Sequence, residues 1–312
     1  MKVVNIQRLQ YFARADFDPN TNTGAVATFA QFQDQFGFEP GGVNFYIGIS
    51  QAAQEQLIKE GTPNAALNSY HRNFFNDVHV AIKASVSKVK TVVLGIEPQE
   101  ASDPYGFVAQ AEQTSGWITR TAQELKGIQD EISGDGKLNI IVRYASEMND
   151  RGGSNVWSKR PAAEFIASYR QVRDIFRTNA PAIRFSFSPA LREDINASKL
   201  AAIKDYFPGK PDDAVRYVDV IGCTWYVGKQ ADVKGAIAIM QEYFRERKGR
   251  NLPFGFDEFG GIDKTQDNDH ILAQMMAAME ALRTSDGISF EYATLFLEGK
   301  FITDATLNFL DG

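Results

Sequence analysis

Two glutamates stand out as residues able to work as an acid and its partner. Glu147 closes the segment LNIIVRYASE at 138–147, and Glu258 lies in LPFGFDEFG at 252–260. Each directly follows an apolar run. A carboxylate at such a place is costly unless it is paired or solvated. Singly, either could be a salt-bridged or rim carboxylate. Together, at the ends of two strands, they suit hydrolysis of a glycosidic bond. There, one carboxyl protonates the leaving oxygen, while a second attacks the anomeric carbon or activates water. Neighbouring carboxylates also push their pKa values apart, which separates acid from nucleophile.

Other side chains sit where they could serve the same place. Glu97 closes TVVLGIE at 91–97 and could line a cleft. Trp157 follows the loop DRGGSN and could stack on a sugar from an exposed position. Trp225 and Tyr226 close VDVIGCTWY at 218–226; strand alternation sends one to the site and the other to the helices. Asn149, two residues past Glu147, is either a substrate contact or a loop cap. Asp257 reads as an outward partner of a neighbouring strand or helix. His71, His79 and His270 show no HExxH spacing, so no metal is expected. There is no GxSxG elbow, no GxGxxG after the first strand and no GxxxxGK[ST], and no cofactor is expected.

The elements that must position these groups alternate. Strand candidates fall at 3–12, 43–50, 91–97, 138–147, 183–189, 218–226, 252–260 and 288–297. Several are apolar almost throughout, as strands buried on both faces should be. Helical stretches lie between them, most clearly at 106–131, 161–179, 232–248 and 268–284, with 50–87 long enough for two. Pro161 suits a first turn, and Phe165, Ile166, Tyr169, Val172 and Phe176 follow at helical spacing. Eight parallel strands with right-handed crossovers predict one (β/α)8 barrel spanning 1–312, in preference to an open doubly wound sheet. In such a barrel the reactive groups gather at the carboxyl ends of the strands.

Composition narrows the partners. The 312 residues carry 33 Lys and Arg against 39 Asp and Glu, a formal charge of −6. No basic stripe is present, so a nucleic-acid partner is not expected. The single cysteine, Cys223, lies in an apolar run and reads as a buried thiol. No run approaches the length of a membrane span. The start MKVVNIQRLQYF lacks the pattern of a signal peptide, although a polysaccharide hydrolase is expected to act outside the cytoplasm, as a mature form would.

RYASEMN at 143–149 resembles the acid/base strand of clan A glycoside hydrolases, and of glycoside hydrolase family 26 in particular. Arg143, Glu147, Met148 and Asn149 match that motif. YRQVRDIFR at 169–177, FSFSP at 185–189, YFPG at 206–209, YVDVIGCTWY at 217–226 and PFGFDEFG at 253–260 resemble the family's succeeding elements in order. The resemblance covers about residues 138–260 and implies a retaining glycosidase acting on a β-linked carbohydrate. It makes Glu147 the acid/base and Glu258 the nucleophile. It places Arg143 beneath the site near the nucleophile, and it likens Tyr226 to the clan's tyrosine that hydrogen-bonds the nucleophile. One departure is Ser146, where the family usually has His, so β-1,4-mannan, β-glucan and bacterial exopolysaccharide all stay open as substrates. The alternative is a non-catalytic glycan-binding barrel derived from such an enzyme.

Overall fold

The computed structural model describes residues 11–14, 42–49, 91–132, 138–192, 202–209, 217–227, 252–261, 284 and 290–295. Nine strands occur among them: β1 (Tyr11–Arg14), β2 (Gly42–Ile49), β3 (Thr91–Pro98), β4 (Asn139–Tyr144), β5 (Arg184–Phe187), β6 (Ala190–Arg192), β7 (Val220–Val227), β8 (Phe254–Gly261) and β9 (Phe290–Leu295). Every neighbouring pair is parallel. The order β5-β4-β3-β2-β1-β9-β8-β7 closes on itself because β5 also pairs with β7. The short β6 continues β5 beyond Ser188-Pro189 and pairs with the outer half of β7. Counting β5 and β6 as one barrel strand leaves eight, which makes the fold a closed (β/α)8 barrel. The expected strand at 3–12 overlaps the described β1 only at its end, and residues 3–10 lie outside the described set. The expected helices in 50–87 and at 232–248, the three histidines, and nearly all of 268–284 lie outside it too.

Alternation decides what faces inward. On β4, Ile141 and Arg143 point into the barrel, while Tyr144 points out and meets Ser168 of the helix that follows. Val93, Ile141, Val220 and Tyr292 form a buried layer across the interior. Three helices cover part of the outside: α1 (Pro104–Ser115), α2 (Trp117–Ile132) and α3 (Ala162–Asn179). On α3, Phe165, Tyr169, Val172 and Phe176 are buried at i, i+4, i+7, i+11, and the three rings pack on Phe185 or Phe187 of β5. Each such ring contributes roughly 2–3 kcal/mol through burial.

The helix expected at 106–131 is in fact two. Gly116 takes φ 62° and ends α1. The Glu112 carboxylate then accepts the backbone N–H groups of Ile118 (2.7 Å) and Thr119 (3.1 Å), so it caps the new helix across the break. At the amino-terminal end of the barrel, Arg184 grips Glu291 with both terminal nitrogens, at 2.6 and 3.2 Å.

Candidate active site

Glu258 lies at the centre of a cluster at the carboxyl ends of the strands. Arg143, fully buried, donates through Nη1 to Glu258 Oε1 at 2.6 Å and to the Tyr46 hydroxyl at 2.8 Å. Its Nε donates to Ser188 Oγ (3.0 Å) and its Nη2 to Thr224 Oγ1 (2.8 Å). The guanidinium is thus held from β2, β7, β8 and the β5–β6 junction at once. Tyr46 donates its hydroxyl to the same Oε1, and Tyr226 donates to Oε2 at 2.5 Å. Asn44 in turn donates to the Tyr46 oxygen at 3.0 Å. Tyr46 oxygen therefore accepts two bonds while giving one, an arrangement that polarises its O–H towards Glu258. Burial alone would raise the Glu258 pKa. The Arg143 charge and the bonds from Tyr226, Tyr46 and Arg143 outweigh it and hold the carboxyl below its usual range.

Asp257 immediately precedes Glu258, and both side chains enter the barrel. Strict alternation forbids that, and a register shift allows it: Cys223 aligns with Phe256, but Thr224 aligns with Glu258, leaving Asp257 as the extra residue of a bulge. Its carboxyl accepts from Ser186 Oγ (2.9 Å) and Tyr292 OH (2.5 Å) and is fully buried. The outward position expected for Asp257 is therefore wrong, because the bulge was invisible to a period-two pattern. Gly222 makes the room: a Cβ there would lie 1.8 Å from Asp257 Oδ2. Burial drives the Asp257 pKa up, against the Arg143 charge and the bonds from Tyr292, Ser188 and Ser186.

Glu147 occupies a different setting. It follows β4 in a turn where Ala145 (φ 46°) and Glu147 (φ 56°) both adopt the left-handed region. Each such residue costs about 1–2 kcal/mol, so the surroundings must impose it. Ala145 N–H donates to Ile96 O at 2.9 Å and Glu147 N–H to Ser188 O at 2.8 Å. Asn155 Nδ2 donates to Glu147 Oε2 at 3.0 Å. Burial, with the Glu258 charge next, pushes the Glu147 carboxyl up to about 7; Arg143 and Asn155 pull the other way.

No family model matches the chain, and no curated protein matches its sequence. Solved structures do match. A glycoside hydrolase family 26 protein from a Muricauda species aligns with a TM-score of 0.61 at 13% identity, covering 98% of this chain and 86% of its own. A family 26 β-mannanase from Bacteroides ovatus gives 0.59 at 13%, covering 97% and 87%. A modular endo-β-1,4-mannanase from Cellulomonas fimi gives 0.62 at 14%, covering 97% and 70%. The chain has the fold of the family 26 mannanases.

On this family 26 fold the expected site residues separate into two groups. Glu147, Glu258, Arg143 and Tyr226 converge: the Glu258 charge acts on Glu147, and both glutamates act on Tyr226. Glu97 lies close enough to act on Tyr46, and Gln99 donates to its Oε2 at 2.9 Å. The other three do not converge. Trp157 is 3% exposed and donates its Nε1 to Ser146 O at 2.7 Å, so it anchors the loop instead of offering a stacking face. Trp225 is 1% exposed and packs outward on Phe256 and Phe259, leaving the inward place to Tyr226. Asn149 spends both ends of its amide on the Ala190 backbone, at 2.9 and 2.8 Å, closing the loop over β6. Tyr46, Asn44, Thr224, Ser188 and Asn155 went unnoticed in the sequence. Only β2 carried a signal: Asn44, Tyr46 and Gly48 place polar or small residues at every second position of an apolar strand. No group of residues suited to holding a metal ion occurs among the described residues, and none of their helices is long and apolar enough to cross a membrane.

Proposed function

We propose that this chain is a retaining glycoside hydrolase acting on a β-linked polysaccharide or oligosaccharide. The observation that carries the reading is the opposite treatment of two neighbouring carboxyls. Glu258 is held ionised by Arg143, Tyr46 and Tyr226, while Glu147 is pushed up to about 7. One is ready to attack and the other to give a proton near neutrality.

In the first step, the Glu147 proton passes to the glycosidic oxygen as its bond to the anomeric carbon breaks. The leaving sugar departs as an alcohol, and a Glu258 oxygen bonds to the carbon. Oε2 is the more readily released atom, since a single phenol, Tyr226, holds it, whereas Oε1 carries both Arg143 and Tyr46. In the second step, Glu147, now a carboxylate, takes a proton from water. The hydroxide attacks the same carbon, and Glu258 leaves as the carboxylate it was. No bound cofactor enters either step.

Because endo-β-1,4-mannanases share the fold, mannan heads the test panel, followed by β-glucans, xylans and bacterial exopolysaccharides. Wild type is expected to release reducing ends from one of these, and both Glu147→Ala and Glu258→Ala to abolish that release. A wild type that binds a glycan tightly without cleaving any would overturn the reading in favour of a lectin-like barrel.

A further inference from the structure

The loop that follows Glu147 folds back onto its carboxyl. Among the described residues, the Asn155 amide makes the only side-chain hydrogen bond on the Glu147 carboxyl, at 3.0 Å to Oε2. The loop bearing it is fastened to the very peptide that precedes Glu147, since Trp157 Nε1 donates to Ser146 O at 2.7 Å. Ser158 Oγ donates to Asn155 O (2.8 Å) and to Asp150 O (2.6 Å), and Tyr105 OH donates to Trp157 O (3.3 Å). The amide and the carboxyl are therefore parts of one stapled unit.

Resting on the reading of Glu147 as acid/base, we infer that Asn155 is its positioning residue, fixing the carboxylate for the water-activating step. Among the described residues, the charges facing Glu147 offer little other support. Glu258 from β8 and Asp150 from its own loop are negative, Tyr226 from β7 is a neutral phenol, and Arg143 from β4 is the one cation among those described residues. Arg143 is already committed to Glu258, Tyr46, Ser188 and Thr224. A neutral amide donor suits a group that must alternate between acid and base. A Lys or Arg in its place would keep Glu147 ionised and starve the first step. An apolar side chain would leave the carboxylate unsupported in the second. In keeping with this, the Asn155 bond draws the Glu147 pKa down against burial.

The test uses Asn155→Ala and the similarly sized Asn155→Leu in the full chain. The Glu147 carboxyl is followed by 13C NMR titration, assigned by its loss in Glu147→Gln, which needs no substrate. Both variants should move its titration upward by about half a unit or more, the size expected for one lost hydrogen bond to a charged group. On an activated aryl glycoside, for which the second step limits turnover, kcat should fall about tenfold; on a glycan that needs the acid, the basic limb of kcat/KM should shift up in parallel. An unchanged Glu147 titration in both variants overturns the inference, as does a fall in activity with no shift of that limb. A wild type inert towards every glycan would sink the proposed reaction, and the titration would still decide whether Asn155 holds the carboxylate.

Discussion

The carboxyl ends of β4 and β8 each present a partly buried glutamate, and the barrel treats them in opposite ways. At β8 the carboxylate meets a guanidinium and two phenols, and Arg143 is itself pinned by Ser188 and Thr224. At β4 the carboxyl has a strained backbone, one amide donor and two negative neighbours. Burial penalises charge in both places. Donor count decides the outcome: three partners reverse the penalty at Glu258, and one fails to at Glu147. A single residue type is thus given opposite protonation tendencies by what surrounds it.

The contrast breaks most completely when the carboxyls themselves go. Glu258→Ala should lose about 10⁴-fold or more in kcat on any substrate. Glu147→Ala should lose about 10²–10⁴-fold on a polysaccharide and far less in the first step on an aryl glycoside with a good leaving group, measured by pre-steady-state burst. Equal losses on the two substrates would contradict the assignment of roles. Next in size is Arg143→Ala, which strands the Glu258 charge and takes a donor from Tyr46, Ser188 and Thr224; thermal or urea unfolding should show a loss of about 3–5 kcal/mol. Tyr226→Phe and Tyr46→Phe sharpen the comparison. Each removes a donor from Glu258, so the acidic limb of kcat/KM should move up, while the basic limb stays near 7.

A further effect concerns stability. Because folding raises the Glu147 pKa, the native state prefers the protonated form. Wild type should lose stability as pH rises from about 4.5 to about 7 and then level off. Glu147→Gln removes that dependence and should be more stable than wild type by up to about 3 kcal/mol at pH 8, with little difference at pH 4, by urea unfolding at the two pH values.

Much of this was legible in the sequence where period and polarity agreed. The apolar runs ending in Glu147 and Glu258 marked their strands, and the α3 stripe from Phe165 to Phe176 marked its buried face. What was missed lay where a local pattern says nothing about distant partners. Tyr46 touches Glu258 across 212 positions of sequence. Asp257 was misplaced because one extra residue in β8 flips the face of everything after it. Trp157 looked like a stacking platform, yet its Nε1 binds a backbone oxygen to hold the Glu147 turn, and of the two readings open for Asn149 the loop cap fits its bonds to Ala190. Asn155 sat in an unremarkable loop, and only the folded chain lays it against Glu147.

The most direct test of the division between the two glutamates is a 13C NMR titration of their carboxyls in the substrate-free protein, each assigned by its own Glu→Gln variant. Glu147 is expected to titrate near 7 and Glu258 below the usual carboxylate range. Two carboxyls titrating together near 4.5 would contradict that division, because neither could then be told from the other as acid or nucleophile.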